Sequence, residues 1–179
     1  LDVTMDIQME EKKRWGHNII GYLDKGAPNT VVIGAHYDHL GFGEDGNSLY
    51  RGADKKIHHG ADDNASGTAA LMELARLLRK TKNLKSNYLF IAFSGEESGL
   101  LGSKYFTRHP TVDLSKISYM LNMDMIGRLN DSSHVLIIGG YGTSPEWSAL
   151  ISNNVNKKIF TLQLDSSGTG PSDHTSFYL

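Results

Sequence analysis

The chain contains no cysteine among its 179 residues, so it has neither a disulfide framework nor a thiolate metal site. Any transition metal must be held by histidine and carboxylates. It also lacks an excess of charge of either sign: 18 Lys and Arg stand against 20 Asp and Glu, a formal net charge of -2. Binding to phosphate backbones needs a concentrated basic surface, so no nucleic-acid partner is expected. Nor does any apolar run approach the ~20 residues that cross a bilayer, and no membrane partner is expected. Repeats and low-complexity segments are missing too. The remaining composition, 39% hydrophobic and 21% charged, belongs to a folded globular chain rather than a disordered one. Its length suits one domain with a real core. The chain opens on Leu1 rather than Met and stops within an apolar stretch at Phe177-Tyr178-Leu179. Both ends read as cuts, so residues 1–179 are expected to be a single domain missing its C-terminal part.

Val3 to Met9 alternates apolar and polar residues, the period of a half-exposed strand, and Asn18 to Leu23 reads as its partner. Val31 to Ala35 and Tyr88 to Phe93 are continuous apolar runs of the kind buried on both sheet faces. Ser118 to Met123, Val135 to Ile138 and Phe160 to Leu164 complete the expected strands. Between them, Ser66 to Lys80 carries a wide Ala/Leu stripe over residues 69–78, expected to be core, with basic residues at its C-terminal end. Leu100 to Arg108 is a short helix closed by His109-Pro110. A further helix runs from Ser144-Pro145-Glu146 to about Lys157. Residues 41–61 form a long polar loop, a length uncommon in compact domains and often functional. Alternating strands and helices predict an α/β fold: a three-layer sandwich with a mixed, largely parallel central sheet flanked by helices.

The chemistry lies where the buried strands stop. Val31 to Ala35 ends in His36-Tyr37-Asp38-His39, Tyr88 to Phe93 in Ser94-Gly95-Glu96-Glu97, and the third strand in Met123-Asp124. Open α/β sheets bind ligands beyond the carboxyl ends of their parallel strands. Asp62-Asp63, just before the long helix, should face the same rim. So many carboxylates around an imidazole repel one another unless a cation sits among them. Histidine with Asp and Glu, and no cysteine, suits zinc or another divalent first-row ion. Tyr141, after the fourth strand, is a further rim candidate.

Four ordered motifs, Gly34-Ala35-His36-Tyr37-Asp38-His39-Leu40-Gly41, Gly60-Ala61-Asp62-Asp63-Asn64-Ala65-Ser66-Gly67, Ser94-Gly95-Glu96-Glu97-Ser98-Gly99 and Asn122-Met123-Asp124-Met125-Ile126-Gly127, resemble those of the zinc-dependent aminopeptidases. That group includes bacterial secreted aminopeptidases and the relatives of glutamate carboxypeptidase. The resemblance implies a zinc-exopeptidase fold with two Zn2+ ions, His36 and Asp124 on one, Asp62 bridging, and Glu97 on the other. Glu96 matches the general base, and Asp38 the carboxylate behind the metal-bound imidazole. It also implies a cis peptide after the bridging residue, here Asp62-Asp63. The family's fifth ligand is a histidine further downstream, which this chain does not reach, so the second ion is expected to bind weakly. Ser172-Asp173-His174 resembles the segment that lines the substrate pocket, with His174 as an alternative substitute ligand. His39 is expected to support the rim, and His58 and His59 to be solvated.

The implied activity is removal of N-terminal residues from peptides with a free N-terminus, by water whose proton passes to Glu96 and on to the leaving amine. Secretion or a periplasmic location is implied as well. Two other functions are compatible with the fold: a glutaminyl-cyclase-like transferase with one zinc, and a binding domain that has lost the chemistry. A missing C-terminal strand would also leave a sheet edge open to self-association.

Overall fold

The computed structural model describes residues 3–8 and 13–179. Its central sheet has four strands in the order β1 (Ile19–Leu23), β3 (Asn87–Phe93), β2 (Thr30–His36), β4 (Ile117–Asn122). β2 runs parallel to both neighbours, while β1 pairs antiparallel with β3 at one edge. Every residue of β2 is buried, as a continuous apolar run in a central parallel strand requires.

Alternation along β2 separates two core layers. Val31, Ile33 and Ala35 pack with Phe90 against α1 (Gly67–Lys80), whose contribution is Leu71, Leu74, Ala75 and Leu78. Val32 points to the other face, joining Leu89, Ile91, Phe93 and Phe106 of α2 (Leu101–Arg108), with Phe177 from the short α4 (Thr175–Tyr178). Helices on both faces give the three layers expected, and each buried Val, Leu, Ile or Phe contributes roughly 1.5–3 kcal/mol. The stripe of α1 is narrower than the composition of residues 69–78 indicates. Leu71, Leu74, Ala75 and Leu78 follow the i, i+3, i+4, i+7 spacing of one helix face, whereas Met72 and Leu77 point outward, 64% and 45% exposed.

Three expectations change. Residues 3–8 form no strand, and the free side of β1 is not paired with them; Met9 lies outside the described residues. Alternation supplies strand propensity, but a strand exists only with a partner, and β1 found its partner in β3. Second, β5 (Val135–Ile138) does not extend the central sheet. It pairs in parallel with β6 (Thr161–Leu164) as a separate two-stranded sheet, with α3 (Glu146–Asn154) between them in sequence. Third, α3 stops at Asn154, short of Lys157.

Candidate metal centre

Register brings the three parallel strand ends level. His36 of β2 is opposite Phe93 of β3, and Gly34 of β2 is opposite Asn122 of β4. The next residues of β3 and β4 are therefore Ser94-Gly95-Glu96-Glu97 and Met123-Asp124, delivered to one rim with His36. The His36 ring is 1% exposed. Its Nδ1 lies 3.1 Å from the backbone carbonyl of Asp38, and its Nε2 lies 3.2 Å from Asp63 Oδ1 and 3.4 Å from Asp124 Oδ1. With a metal bound, the ring would keep its proton on Nδ1, donated to that carbonyl, and present Nε2 to the ion between the two carboxylates. The Thr68 hydroxyl, from the first turn of α1, holds the His36 carbonyl at 2.9 Å.

Asp63, not Asp62, enters this cluster. The two are adjacent, and the carboxylate brought to the cluster is one residue later than the one expected to bridge. The segment Ala61–Ser66 is an irregular helical turn, broken by non-helical backbone at Asp63 (φ -104°, ψ 94°) and Asn64 (φ -135°, ψ 44°). The cis peptide is Asp63–Asn64, one bond later than expected. This turn sends the Asp63 carboxylate to His36, while Asp62 faces the loop after β4. Asp62 Oδ1 accepts the Gly127 N–H at 2.8 Å. Buried Asn64 completes the tie: its Nδ2 donates to the Met123 carbonyl at 3.0 Å, and its Oδ1 accepts from Gly67 at 3.0 Å and Met125 at 3.3 Å. Gly67 allows this approach, since a Cβ there would meet Asn64 Oδ1 and the Met123 carbonyl at 2.4 Å. Asp62 and Asn64 thus fasten the two loops that carry Asp63 and Asp124.

A second cluster shares Asp63. Glu97 Oε1 lies 2.7 Å from His39 Nδ1, and Asp63 Oδ2 lies 3.8 Å from the same nitrogen. Sequence reasoning placed His39 on the rim as a support; the structure places it against Glu97. The signal was a second histidine three residues beyond His36 on the same strand end. Around it lies an open cleft of about 440 Å³ bordered by Tyr37, His39, His59, Gly60 and Met72. From the long loop, Asn47 donates to the Glu97 carbonyl at 3.3 Å, so the loop is anchored at this side of the rim.

Asp38 does more than stand behind His36. Its carboxylate is 3.8 Å from His36 Nδ1, but its two oxygens accept the backbone N–H groups of Glu96 at 3.1 Å and Glu97 at 3.2 Å. One residue therefore orients the imidazole by its carbonyl and the Glu96-Glu97 turn by its side chain. Asp38→Ala is expected to weaken zinc binding about 10–100-fold, the usual cost of losing an outer partner of a metal ligand. Competition with a chromophoric chelator measures this; an unchanged affinity would remove Asp38 from the site.

Glu96 is held above the ordinary carboxyl range, at about 7. Burial is the main cause; His36 opposes it, and Asp173, Asp124 and Glu97 add to it. Asp173, expected to line the pocket, has no exposed surface, and neither carboxylate oxygen has a hydrogen-bond partner among the described residues. Through space it pushes the Glu96 carboxyl up. Burial raises its pKa to about 6. An acid raised in the folded state stabilises below its unfolded value of ~3.9, and that stability is lost as pH climbs through 6, by about 3 kcal/mol. The metal-stripped Asp173→Asn variant should therefore gain about 3 kcal/mol relative to wild type between pH 4 and pH 8. Urea unfolding at the two pH values measures it, and identical pH dependence in both proteins contradicts it.

His174, half-buried, stands near Asp124 and outside both clusters; burial lowers its pKa and Asp124 partly restores it. The substitute-ligand role is thus not supported by its position. Tyr141 sits after β5, its N–H donating to the Asp165 carbonyl at 2.9 Å, on the smaller sheet.

The residues fit a metal. In each of the two sets, His36/Asp63/Asp124 and His39/Asp63/Glu97, the ligand atoms lie within 4.8 Å of one another. Burial works against a charged His36, yet Asp124 and Glu96 outweigh it and raise the ring to about 9. Carboxylates that keep a proton on a buried imidazole form a field made for a cation. Oxygen and imidazole donors without sulfur suit zinc.

An imidazole–carboxylate cluster at the carboxyl ends of a three-layer α/β sheet is a candidate divalent-metal centre. The chain belongs to peptidase family M28, whose sequence pattern matches residues 18–178. Leupeptin-inactivating enzyme 1 of Streptomyces exfoliatus is 32% identical over 169 residues, covering 90% of this chain and 33% of that protein. The crystal structure of a zinc aminopeptidase from Bacillus subtilis superposes with a TM-score of 0.68 at 30% identity, covering 90% of this chain and 37% of that one. A glutaminyl cyclase from Bacteroides thetaiotaomicron, solved with N-acetylhistamine, gives a TM-score of 0.63 at 26% identity, covering 89% and 59%. The chain spans about a third of the length of the curated relatives it matches.

Proposed function

We propose that this chain carries the catalytic centre of a zinc-dependent aminopeptidase, with two zinc ions sharing Asp63. His36 and Asp124 would hold one ion and Glu97 would contribute to the other. When bound, zinc lowers the pKa of a coordinated water from 15.7 toward about 7 and polarises the scissile carbonyl. The protein's own part is positioning and proton transfer. Glu96, beside Glu97 and fixed through its N–H by Asp38, accepts a proton at its carboxylate and returns it to the leaving amine. Burial among other carboxylates raises its proton affinity, the property a group that takes and returns a proton needs.

The observation that carries this reading is Asp63 standing between the two imidazole–carboxylate sets. A ring of carboxylates also attracts a free substrate α-amine, which favours removal of the first residue over internal cleavage. Secretion or a periplasmic location belongs to the same proposal; among the described residues no helix is long and apolar enough to cross a membrane.

The likeness to glutaminyl cyclase favours a second reading, a single-zinc transferase. Leucine chromogenic amide and a glutaminyl peptide separate them. Hydrolysis of the amide supports the peptidase, cyclisation of the glutaminyl peptide alone supports the transferase, and turnover of neither by zinc-loaded protein points to a binding domain.

A further inference from the structure

We infer that Asn18, which leads into β1, is a positioning residue for Glu96: its side-chain amide clamps the two ends of the turn that carries Glu96 and Glu97. The inference rests on the aminopeptidase reading above and adds to it a residue outside both donor sets. Asn18 Oδ1 accepts the Ser94 N–H at 3.1 Å, where the chain leaves β3, and Asn18 Nδ2 donates to the Gly102 carbonyl at 2.8 Å, in the first turn of α2. A side-chain amide offers an acceptor and a donor together, which is what an N–H and a carbonyl at the two ends of a turn require. The fit leaves no slack: a Cβ on Gly102 would meet Asn18 Oδ1 at 2.4 Å, and one on Gly16 would meet Ser94 Oγ at 2.5 Å. The segment is itself tied to the rim, since the His17 carbonyl accepts the Tyr37 hydroxyl at 2.8 Å.

Between those ends the turn is held to itself. The Glu96 carbonyl accepts the N–H groups of Gly99 at 2.8 Å and Leu100 at 2.9 Å, and Leu101 donates to the Gly95 carbonyl at 2.9 Å. Gly95 and Leu100 are left-handed, with φ of 70° and 61°, a conformation that a leucine side chain disfavours and its surroundings must enforce. Such a turn moves as a unit, so where Glu96 points depends on how the unit is fixed to the sheet. Asp38 fixes its middle, through the N–H groups of Glu96 and Glu97, from the end of β2. Asn18 fixes its ends from the opposite side, where β1 pairs with β3. Without Asn18 the base keeps its neighbours and loses its placement, and a displacement of ~1 Å costs about 100-fold in rate.

The test compares wild type with Asn18→Ala and Asn18→Asp in the full chain, each with Glu96 present and with Glu96→Gln. Zinc content is measured for every protein, and metal-free thermal melts verify that each folds. With leucine chromogenic amide, Asn18→Ala is expected to lower kcat about 30–100-fold while KM stays within about twofold. Asn18→Asp keeps an acceptor for Ser94 but sets a second oxygen against the Gly102 carbonyl, and should lose as much. In the Glu96→Gln background either substitution should cost less than about threefold, because the group being positioned is already gone. Hydrogen exchange on the metal-stripped protein supplies a readout apart from turnover. The amides of residues 94–97 should exchange at least about 10-fold faster in Asn18→Ala, with β2 and α1 unchanged. A loss of equal size in both backgrounds, or unchanged exchange at Ser94, overturns the role of Asn18 and leaves the reading of the centre intact. No turnover by zinc-loaded wild type overturns that reading itself, and exchange at Ser94 still decides whether the clamp exists.

Discussion

Glu96→Gln is expected to lower kcat about 1,000-fold, within the 10²–10⁴ that a general acid–base group contributes, with zinc content unchanged. The amide keeps the shape of the side chain and cannot accept the proton. The backbone N–H that Asp38 holds at 3.1 Å is untouched, so the turn and neighbouring Glu97 stay in place. KM should move little, because the substitution removes a transition-state interaction and spares binding. The pH profile carries a second expectation. Burial pushes the Glu96 acid up to about 7 before metal binds, and the basic form needed for proton acceptance then fails as pH falls below that value. Bound cations shift that limb to lower pH, because positive charge favours the carboxylate. The acidic limb of kcat/KM should be abolished in the variant, and a profile identical to wild type at wild-type rate would sink the assignment of the base.

Asp63→Asn should empty both metal positions, with a loss of zinc affinity beyond the roughly 10–100-fold that follows removal of an outer partner. Asp62→Asn should retain zinc, because its amide oxygen can still accept the Gly127 N–H that Asp62 Oδ1 holds at 2.8 Å. The contrast between these isosteric neighbours is sharp. Only Asp63 faces the two imidazoles, at 3.2 Å from His36 Nε2 and 3.8 Å from His39 Nδ1. Zinc measured by mass spectrometry after gel filtration decides it. Loss on substitution of Asp62, with retention at Asp63, would reverse the assignment.

Those neighbours also mark where reading the sequence ended. β2, β3 and α1 are legible because buried strands and amphipathic helices repeat a pattern over many residues, and residue types at three strand ends then converge by topology alone. That Glu96, Glu97, His36 and Asp124 gather at one rim followed from that. Asp62 and Asp63 did not separate, because the turn between Gly60 and Gly67 departs from helical backbone at Asp63 and Asn64, and no period predicts where a side chain points there. His39 was placed at the rim, but its contact with Glu97 was not legible, because Glu97 is 58 residues away beyond the end of another strand. The residues 3–8 mislead for the opposite reason: alternation signals strand propensity, but pairing is a tertiary matter. The same holds for β5, whose apolar run suits any sheet and whose partner turned out to be β6.

His36 and Asp124 stand 88 positions apart in the chain and meet only once β4 has zipped onto β2. A polypeptide still emerging from synthesis, or one nicked between them, has no such donor set. Metal uptake therefore reports that the central sheet has closed, and the ion selects the finished conformation from the ensemble. At a zinc concentration of 1,000 times Kd that selection adds about 4 kcal/mol to the folded state. On the zinc reading proposed above, the metal-loaded chain is expected to outlast the metal-free one under proteolysis.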